Sequence, residues 1–257
     1  MEYLIKYDDV KVTFFTVGKF HYPYAVDVED YQYAMRKAHD FGYQIASLTY
    51  THKVPEDKQE FKESLIKNDE FIKTYTGDRP RYFRAPNGQC DEKCQSYLDD
   101  WGYKHIKWDS DTNDHDLETS RSVERRTKDS IDFLKNIFNE ERNNYLIRLH
   151  DTQNYTVHEI VPWIIKKSGM REKGYRFVSV AECLGDKKSM YASGKIYDED
   201  IILHHATFIT GNTTNIEAID KSIEHNLESD AIINLKPLSL LKYLCIGFII
   251  FIYNKLI

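Results

Sequence analysis

The strongest constraint on the fold is a regular alternation of strand-like and helix-like runs along the first 180 residues. Val10–Gly18 is rich in valine and phenylalanine and ends in glycine, as expected of a buried strand. Residues 27–41 carry apolar side chains at helical spacing, and Gly42 ends this helix before a second short buried run, 45–47. Further strands are predicted at 81–83, 106–108, 145–149 and 176–180, and further helices at 56–75, 90–101, 119–138 and 157–168. Alternation of this kind predicts parallel strands with helices packed outside them.

Composition narrows the class of protein. The chain has 257 residues, enough for one barrel-sized domain with extra segments, and it is 41% hydrophobic and 30% charged, as in folded soluble domains. The net charge is -6 with lysine and arginine interspersed among the acids, which excludes the basic stripe of a nucleic-acid-binding surface. The 19 tyrosines suit either a groove that stacks sugar rings or an aromatic core. The start MEYLIKYDD has no basic region and no apolar core, so we predict no signal peptide in this chain.

Polar side chains that suit a catalytic site follow several of the predicted strands. They are Ser47, Thr49, Thr51, His52, Arg84, Asp111, Asp114 and His150. Taken one by one, Arg84 would be an ion pair at a strand end and His150 a buried histidine, and the two aspartates would form a polar turn. Barrel enzymes, however, place their active sites at the carboxyl ends of the strands. The shared position of these side chains therefore predicts that they meet in one site.

Taken together, these segments resemble the polysaccharide deacetylases of the NodB-homology, chitin-deacetylase type. The resemblance covers residues 4 to about 184 and depends on several motifs in the same order. VTFFTVG matches the second strand of the family, and GYRFVSVAECLG, which includes Cys183, is similar to the closing strand of fungal members. The loop motifs are FRAPNG with Arg84, Pro86 and Gly88, WDSDTND with Trp108, Asp111 and Asp114, and IRLHD with His150 and Asp151.

The resemblance implies an α/β fold, a (β/α) barrel of the polysaccharide-deacetylase type. No strand precedes Val10 in this sequence, so we predict an incomplete barrel that lacks its first strand and carries a C-terminal extension. The expected organisation is a barrel domain over 1–185, a linker-like extension over 186–232 and an apolar segment over 233–257. Without the first strand, exposed strand edges would favour association, and we expect a poorly stable or associated protein.

The resemblance also implies a reaction, the hydrolysis of N-acetyl groups on chitin or another polymer of N-acetylglucosamine. In the family a divalent metal, zinc or cobalt, is held by one aspartate and two histidines and lowers the pKa of the attacking water. His52 matches the second histidine of the motif H-T-x-x-H, whereas Leu48 stands at the first. The family's opening T-F-D-D motif, which supplies the base and the metal-binding aspartate, has no match before Val10. The implied metal site is therefore incomplete.

Further roles follow from the same resemblance. Arg84 is expected to orient the base, His150 to protonate the departing amine, and Asp111 to hydrogen-bond His150. Arg148 replaces an apolar residue that the family keeps beside the acetyl group. The substrate-binding wall is predicted to comprise Tyr82, Phe83, Pro86 and Trp108. Candidate replacement metal ligands are His21, His39 and His115.

Three interpretations of the function remain open. The chain is a chitin-deacetylase-like enzyme with impaired activity, a non-catalytic carbohydrate-binding or cell-wall protein, or a truncated gene product. By resemblance, we expect it to be extracellular or associated with the cell surface. The sequons at Asn154 and Asn212 would carry glycans only in such a secreted protein.

Two local features complete the predictions. The run Leu238–Tyr253 is mostly apolar, and it is interpreted as a membrane anchor, a cleaved lipid-anchor signal or a buried helix. Cys90 and Cys94 fall one turn apart in a single predicted helix, where a disulfide between them would be awkward.

Overall fold

Strands and helices alternate in the structure as the sequence predicts. The structure, a computed structural model, describes residues 1–116 and 122–192 and the backbone of 242–250. The strands are β1 (Thr13–Thr16), β2 (Gln44–Ser47), β3 (Arg79–Pro80), β4 (Tyr82–Phe83), β5 (Lys104–His105), β6 (Ser110–Asp111), β7 (Asn144–His150), β8 (Tyr175–Val178), β9 (Tyr191–Ala192) and β10 (Lys242–Ile250). The helices are α1 (Glu29–Asp40), α2 (Lys58–Thr76), α3 (Glu92–Asp100), α4 (Val123–Phe138), α5 (Val161–Lys166) and α6 (Val180–Cys183).

Eight of the described strands form a parallel sheet, which positions the loops that carry the sequence motifs. Its order is β5-β4-β2-β1-β10-β7-β6, and β8 also pairs with β10. All of these pairings are parallel. The short strands β3 and β9 form a separate antiparallel pair, so the folded domain continues past the predicted boundary at residue 185. The α/β class and the parallel sheet are thus confirmed, and the carboxyl ends of neighbouring strands face the same way.

The helices pack on the sheet through apolar faces that the sequence spacing sets. α1 buries Tyr31, Met35 and Ala38, which recur at helical spacing on one side, and it ends just before Gly42, where φ is 76°. A positive φ of this size costs glycine little, so the chain can turn directly into β2. α2 begins after Asp57, whose carboxylate accepts a backbone N–H of the first turn at 2.9 Å. The ends of these helices determine where the neighbouring strands begin and end. They therefore determine which strand ends lie close together.

The C-terminal apolar run differs most from its prediction. It forms β10, which lies between β1 and β7 and pairs in parallel with both. Ile249 is in register with Phe15 on one side and with His150 on the other. A strand with paired neighbours on both sides is expected to be apolar throughout, and periodicity alone does not separate such a strand from a buried helix. For Lys242–Ile250 the buried-helix interpretation is therefore wrong, and the strand does not support the membrane-anchor or lipid-anchor interpretation.

The position of β10 bears on two other predictions. The edge of β1 that was expected to be open is paired with β10, so the premise of the predicted association is wrong. Within the described residues, no helix combines the length and the apolar character needed to cross a membrane. Most of the predicted extension over 186–232, including Asn212, lies outside the described residues.

The two cysteines that were expected to resist bridging are joined. Cys90 and Cys94 form a disulfide with their Cα atoms 5.2 Å apart. The prediction placed both in one helix, whereas α3 begins only at Glu92. Asp91 is the extended N-cap residue, and its carboxylate accepts the backbone N–H of Cys94 at 2.8 Å. Cys90 therefore lies outside the helix, at a separation that a disulfide spans.

Candidate active site

A buried histidine–aspartate pair lies at the carboxyl end of β7. The ring Nδ1 of His150 is 2.7 Å from Oδ1 of Asp114, and the backbone N–H of His150 donates to Oδ2 at 2.8 Å. After β7 the chain enters a wide helical turn, Thr156–Ile160, and Thr156 Oγ1 donates to the same Oδ2 at 2.6 Å. Burial opposes the charge on Asp114, yet the hydrogen bonds from His150 and Thr156 hold its pKa below the usual value. Asp114 is therefore ionised near neutral pH, and its negative charge would stabilise a protonated imidazole ring.

Asp111 was predicted to be the hydrogen-bond partner of His150, and this prediction is wrong. Asp111 instead forms an ion pair with Arg148, with Oδ2 2.5 Å from Nη2. The backbone turns at Asn113, where φ is 52°, and the N–H of Asn113 donates to Asp111 at 3.0 Å. This turn separates the two aspartates of the motif and directs Asp114 toward His150.

His115 joins the pair from the same loop. Its ring centroid lies 4.2 Å from that of His150. The potential ligand atoms of Asp114, His115 and His150 all lie within 4.8 Å of one another, which makes this group a possible metal site. Burial, followed by the charges of His150 and Arg148, lowers the pKa of His115, which favours a neutral ring that could bind a metal. His115, one of the three candidate replacement ligands, lies beside His150, whereas the group that it forms with Asp114 and His150 was not predicted.

The end of β2 offers one histidine and no partner histidine at the expected spacing. Leu48 is 1% exposed and belongs to a buried apolar cluster with Phe15 and Tyr82. His52 has a φ of 56°, and its ring centroid lies 4.2 Å from that of Phe20. Burial, together with the nearby histidines His21 and His150, lowers the pKa of His52 to about 4. His52 is thus neutral over most of the pH range and lies on the same side of the sheet as His150.

Two arginines lie over the ring of Trp108. The Cζ of Arg148 lies 4.1 Å from the ring centroid and that of Arg84 lies 5.6 Å from it. Arg84 is fully buried and donates to the backbone carbonyls of Ile106 and Lys107 at 3.4 and 3.3 Å. Its burial and the charge of Arg148 lower the pKa of Arg84 to about 9. Arg84 was predicted to orient a catalytic base. Among the described residues, no carboxylate is hydrogen-bonded to its guanidinium.

Two of the four predicted substrate-wall residues lie in the core. Tyr82 and Phe83 are fully buried, so neither presents a ring face to a sugar, and this part of the prediction is wrong. Tyr82 donates a hydrogen bond to Asp186 at 2.8 Å, and Phe83 packs edge-on against Phe61. Both side chains occupy β4, which is paired on both sides within the sheet. The residue type suited a binding groove, but the central position of the strand placed both rings inside.

A groove beside His52 was not predicted. Its volume is about 720 Å³. It is lined by His52, Pro55, Pro86 and Tyr97, and the Cys90–Cys94 disulfide forms part of its wall. Pro86, one of the residues predicted to bind substrate, therefore faces a cavity. The other lining residues include parts of the loop after His52, of the FRAPNG motif and of α2 and α3, and no single pattern in the sequence predicts that they meet.

Comparison with known proteins gives a consistent result. The family model for polysaccharide deacetylase matches residues 2–106. A chitin deacetylase of Colletotrichum lindemuthianum is 29% identical over 194 residues, which cover 71% of this chain and 72% of that protein. The solved structure of the chitin deacetylase from this fungal pathogen matches with a TM-score of 0.64 and 27% identity, over 76% of this chain and 84% of that one. Chitin deacetylase 1 of Saccharomyces cerevisiae is 27% identical over 189 residues, 72% of this chain and 57% of that protein.

This chain is similar to polysaccharide deacetylases of the NodB type, and in particular to chitin deacetylases. The reaction of that family is the hydrolysis of N-acetyl groups. The comparisons support the family predicted from the sequence, and the predicted fold class is confirmed.

Polysaccharide deacetylases are metal-dependent, and the described residues offer one possible metal site, Asp114, His115 and His150, which is not the site that the sequence predicted. At one predicted ligand position Leu48 supplies no ligand atom, so the first of the two histidines in the motif is absent. In the alternative group, both oxygens of Asp114 already accept hydrogen bonds from His150 and Thr156. A metal bound to Asp114 would compete with these hydrogen bonds, whereas Nε2 of His150 is not engaged by Asp114.

Proposed function

We propose that this protein binds polymers of N-acetylglucosamine at the carboxyl ends of β2, β4, β6 and β7. We further propose that it transfers protons through His150. The observation that carries the proposal is the buried Asp114–His150 pair at the end of β7. The similarity to chitin deacetylases supports the choice of N-acetylated amino sugars as ligand. The groove of about 720 Å³ beside His52 offers room for part of such a polymer.

The geometry of the pair suits an acid. With Nδ1 held by the Asp114 carboxylate, the exchangeable proton of His150 resides on Nε2. Cleavage of the amide leaves an amine, which needs a proton as the C–N bond breaks, and His150 Nε2–H would donate it. The charged Asp114 stabilises the imidazolium before the transfer and fixes the orientation of the ring.

We propose that acetate release by this chain is slow. General-base help alone contributes roughly 10²–10⁴-fold to a rate, and metal activation of water contributes a further large factor. Leu48 removes a ligand position and Arg148 places a charged side chain next to His150 on β7. Both residues act against activation of the water, whereas binding of a sugar polymer requires neither the metal nor the base. A non-catalytic carbohydrate-binding role is therefore the second candidate function.

An acetate-release assay on N-acetylglucosamine oligomers, with zinc or cobalt added, tests this proposal when it is run beside retention on insoluble chitin. We expect retention on chitin and acetate release close to background. His150→Ala is the test variant, and His158→Ala, at an exposed position outside the site, is its control. Metal-dependent turnover that His150→Ala abolishes and His158→Ala preserves would overturn the proposed impairment. Absence of both turnover and retention would overturn the proposed ligand.

A further inference from the structure

The guanidinium groups of Arg84 and Arg148 form a buried cationic cluster that the proposed proton transfer does not use. Arg84 is fully buried and Arg148 is 8% exposed. Both lie over the ring of Trp108, at 5.6 and 4.1 Å. Two like charges buried against one ring are unfavourable unless anions compensate for them.

The compensation within the described residues is incomplete. Asp111 is paired with Nη2 of Arg148, and no second carboxylate is hydrogen-bonded to either arginine in this part of the chain. Among the described residues, Nη1 of Arg84 and Nε of Arg148 have no hydrogen-bond partner although both atoms are buried. A guanidinium has five N–H donors in a rigid plane, and a carboxylate is the group that matches this plane with two parallel hydrogen bonds.

The cluster adjoins the candidate active site. Arg148 and His150 are two residues apart on β7, so their side chains project from the same face of the strand. Asp111 keeps 29% of its side chain exposed, and His115 is exposed beside His150. This side of the cluster is therefore open to a ligand that enters the site.

We propose that the Arg84–Arg148 cluster binds a carboxylate, either acetate released by deacetylation or the carboxylate of an acidic sugar in the polymer. The inference depends on the proposed function only for the source of the carboxylate. Binding itself is measured without turnover: a chain that releases no acetate can still bind added acetate, and an active chain can fail to bind it. Failure of the two proposals is therefore distinguishable.

The test is calorimetric titration of the full chain with sodium acetate, with acetamide as the neutral analogue of the same shape. Sodium glucuronate, with glucose as its neutral analogue, forms the second arm. We expect saturable binding of a carboxylate and none of its neutral analogue. Tight binding of acetate alone identifies the released product as the ligand, and tighter binding of glucuronate identifies an acidic sugar. No saturable binding of either carboxylate, or equal binding of the neutral analogues, would overturn the proposal.

Three variants examine the cluster itself. Arg148→Met should weaken carboxylate binding by about tenfold or more, because it removes a charge-assisted pair. Asp111→Asn should tighten binding, because it removes the competing carboxylate from Arg148, an effect that a purely structural role would not produce. Arg125→Met is the control, since Arg125 is exposed on α4 and forms an ion pair with Asp129 one helical turn away. If Arg148→Met does not fold, Arg148→Lys keeps the charge without the planar fork and should weaken binding severalfold. Unchanged affinity in Arg148→Met or Arg148→Lys, or weaker binding by Asp111→Asn, would contradict the assignment.

Discussion

Asp114 accepts two hydrogen bonds from a single residue, His150, one from the ring Nδ1 at 2.7 Å and one from the backbone nitrogen at 2.8 Å. The backbone bond fixes the position of the carboxylate relative to β7, and the ring bond fixes the rotation of the imidazole. The same carboxylate therefore both stabilises the fold and prepares the proposed acid.

We expect Asp114→Asn to lower the free energy of unfolding by about 3 kcal/mol, because charged hydrogen bonds to a buried carboxylate are lost. Urea unfolding of the variant and of the unmodified chain measures this loss. Asp129→Asn, which changes a half-buried carboxylate of an i,i+4 pair on α4, should have little effect. Equal losses in the two variants would show that the buried pair carries no special stability.

The low pKa of His52 predicts a pH dependence of stability. Its folded-state pKa is about 4 against an ordinary 6.5, so between these values the unfolded chain binds the proton more readily. The contribution of neutral His52 to the free energy of unfolding is complete above pH 6.5 and is lost progressively as the pH falls toward 4. Urea midpoints measured across this interval should therefore fall less steeply in His52→Asn, a residue that tolerates the positive φ. His158→Asn serves as the surface control, and identical slopes for His52→Asn and the unmodified chain would contradict the prediction.

Zinc should bind the full chain weakly. Leu48 supplies no ligand atom, and the oxygens of Asp114 are engaged by His150 and Thr156. Titration calorimetry with zinc alone measures the affinity, and His158→Ala again serves as the control. A one-to-one micromolar isotherm lost in His115→Ala would establish the group of Asp114, His115 and His150 as a metal site. Loss of such an isotherm in His52→Asn would instead show that other groups complete a site around His52.

The pairing of β10 predicts that the stability of the sheet depends on the backbone hydrogen bonds of this strand. Ile246 is in register with Ile147 of β7, and Ile246→Pro removes a backbone N–H from a strand with neighbours on both sides. We expect a loss of about 3 kcal/mol or more and association through the exposed strand edges. Thermal melting and light scattering after size exclusion measure the two effects, and Ile246→Val, which keeps the N–H, is the control. A proline variant that melts like the control and remains monomeric would show that β10 does not contribute to the sheet in solution.

The sequence predicted the strand ends well, because the chemistry of a barrel is concentrated there. Arg84 and His150 both lie where the motif order placed them. The assignment of Asp111 as the partner of His150 was wrong, because the pairing depends on the left-handed turn at Asn113. That conformation belongs to one residue and leaves no periodic signal in the sequence.

Other features depend on contacts that no local pattern reveals. Tyr82 and Phe83 looked suited to a groove, yet β4 has neighbours on both sides and buries them. The bridge between Cys90 and Cys94 depends on a helix start that is two residues later than predicted, at Glu92.

The central place of β10 has a consequence for the order in which the domain can form. Residues 242–250 follow the rest of the sheet in the sequence, yet they separate β1 from β7 in space. Contacts between segments so far apart in the chain slow folding, because the entropy of closing long loops is lost before the contacts can stabilise the structure. During synthesis, β1 through β8 leave the ribosome with a gap in the sheet that only the last strand fills. We therefore expect the nascent domain to depend on chaperones until Lys242–Ile250 emerges, and to fold late and as a unit.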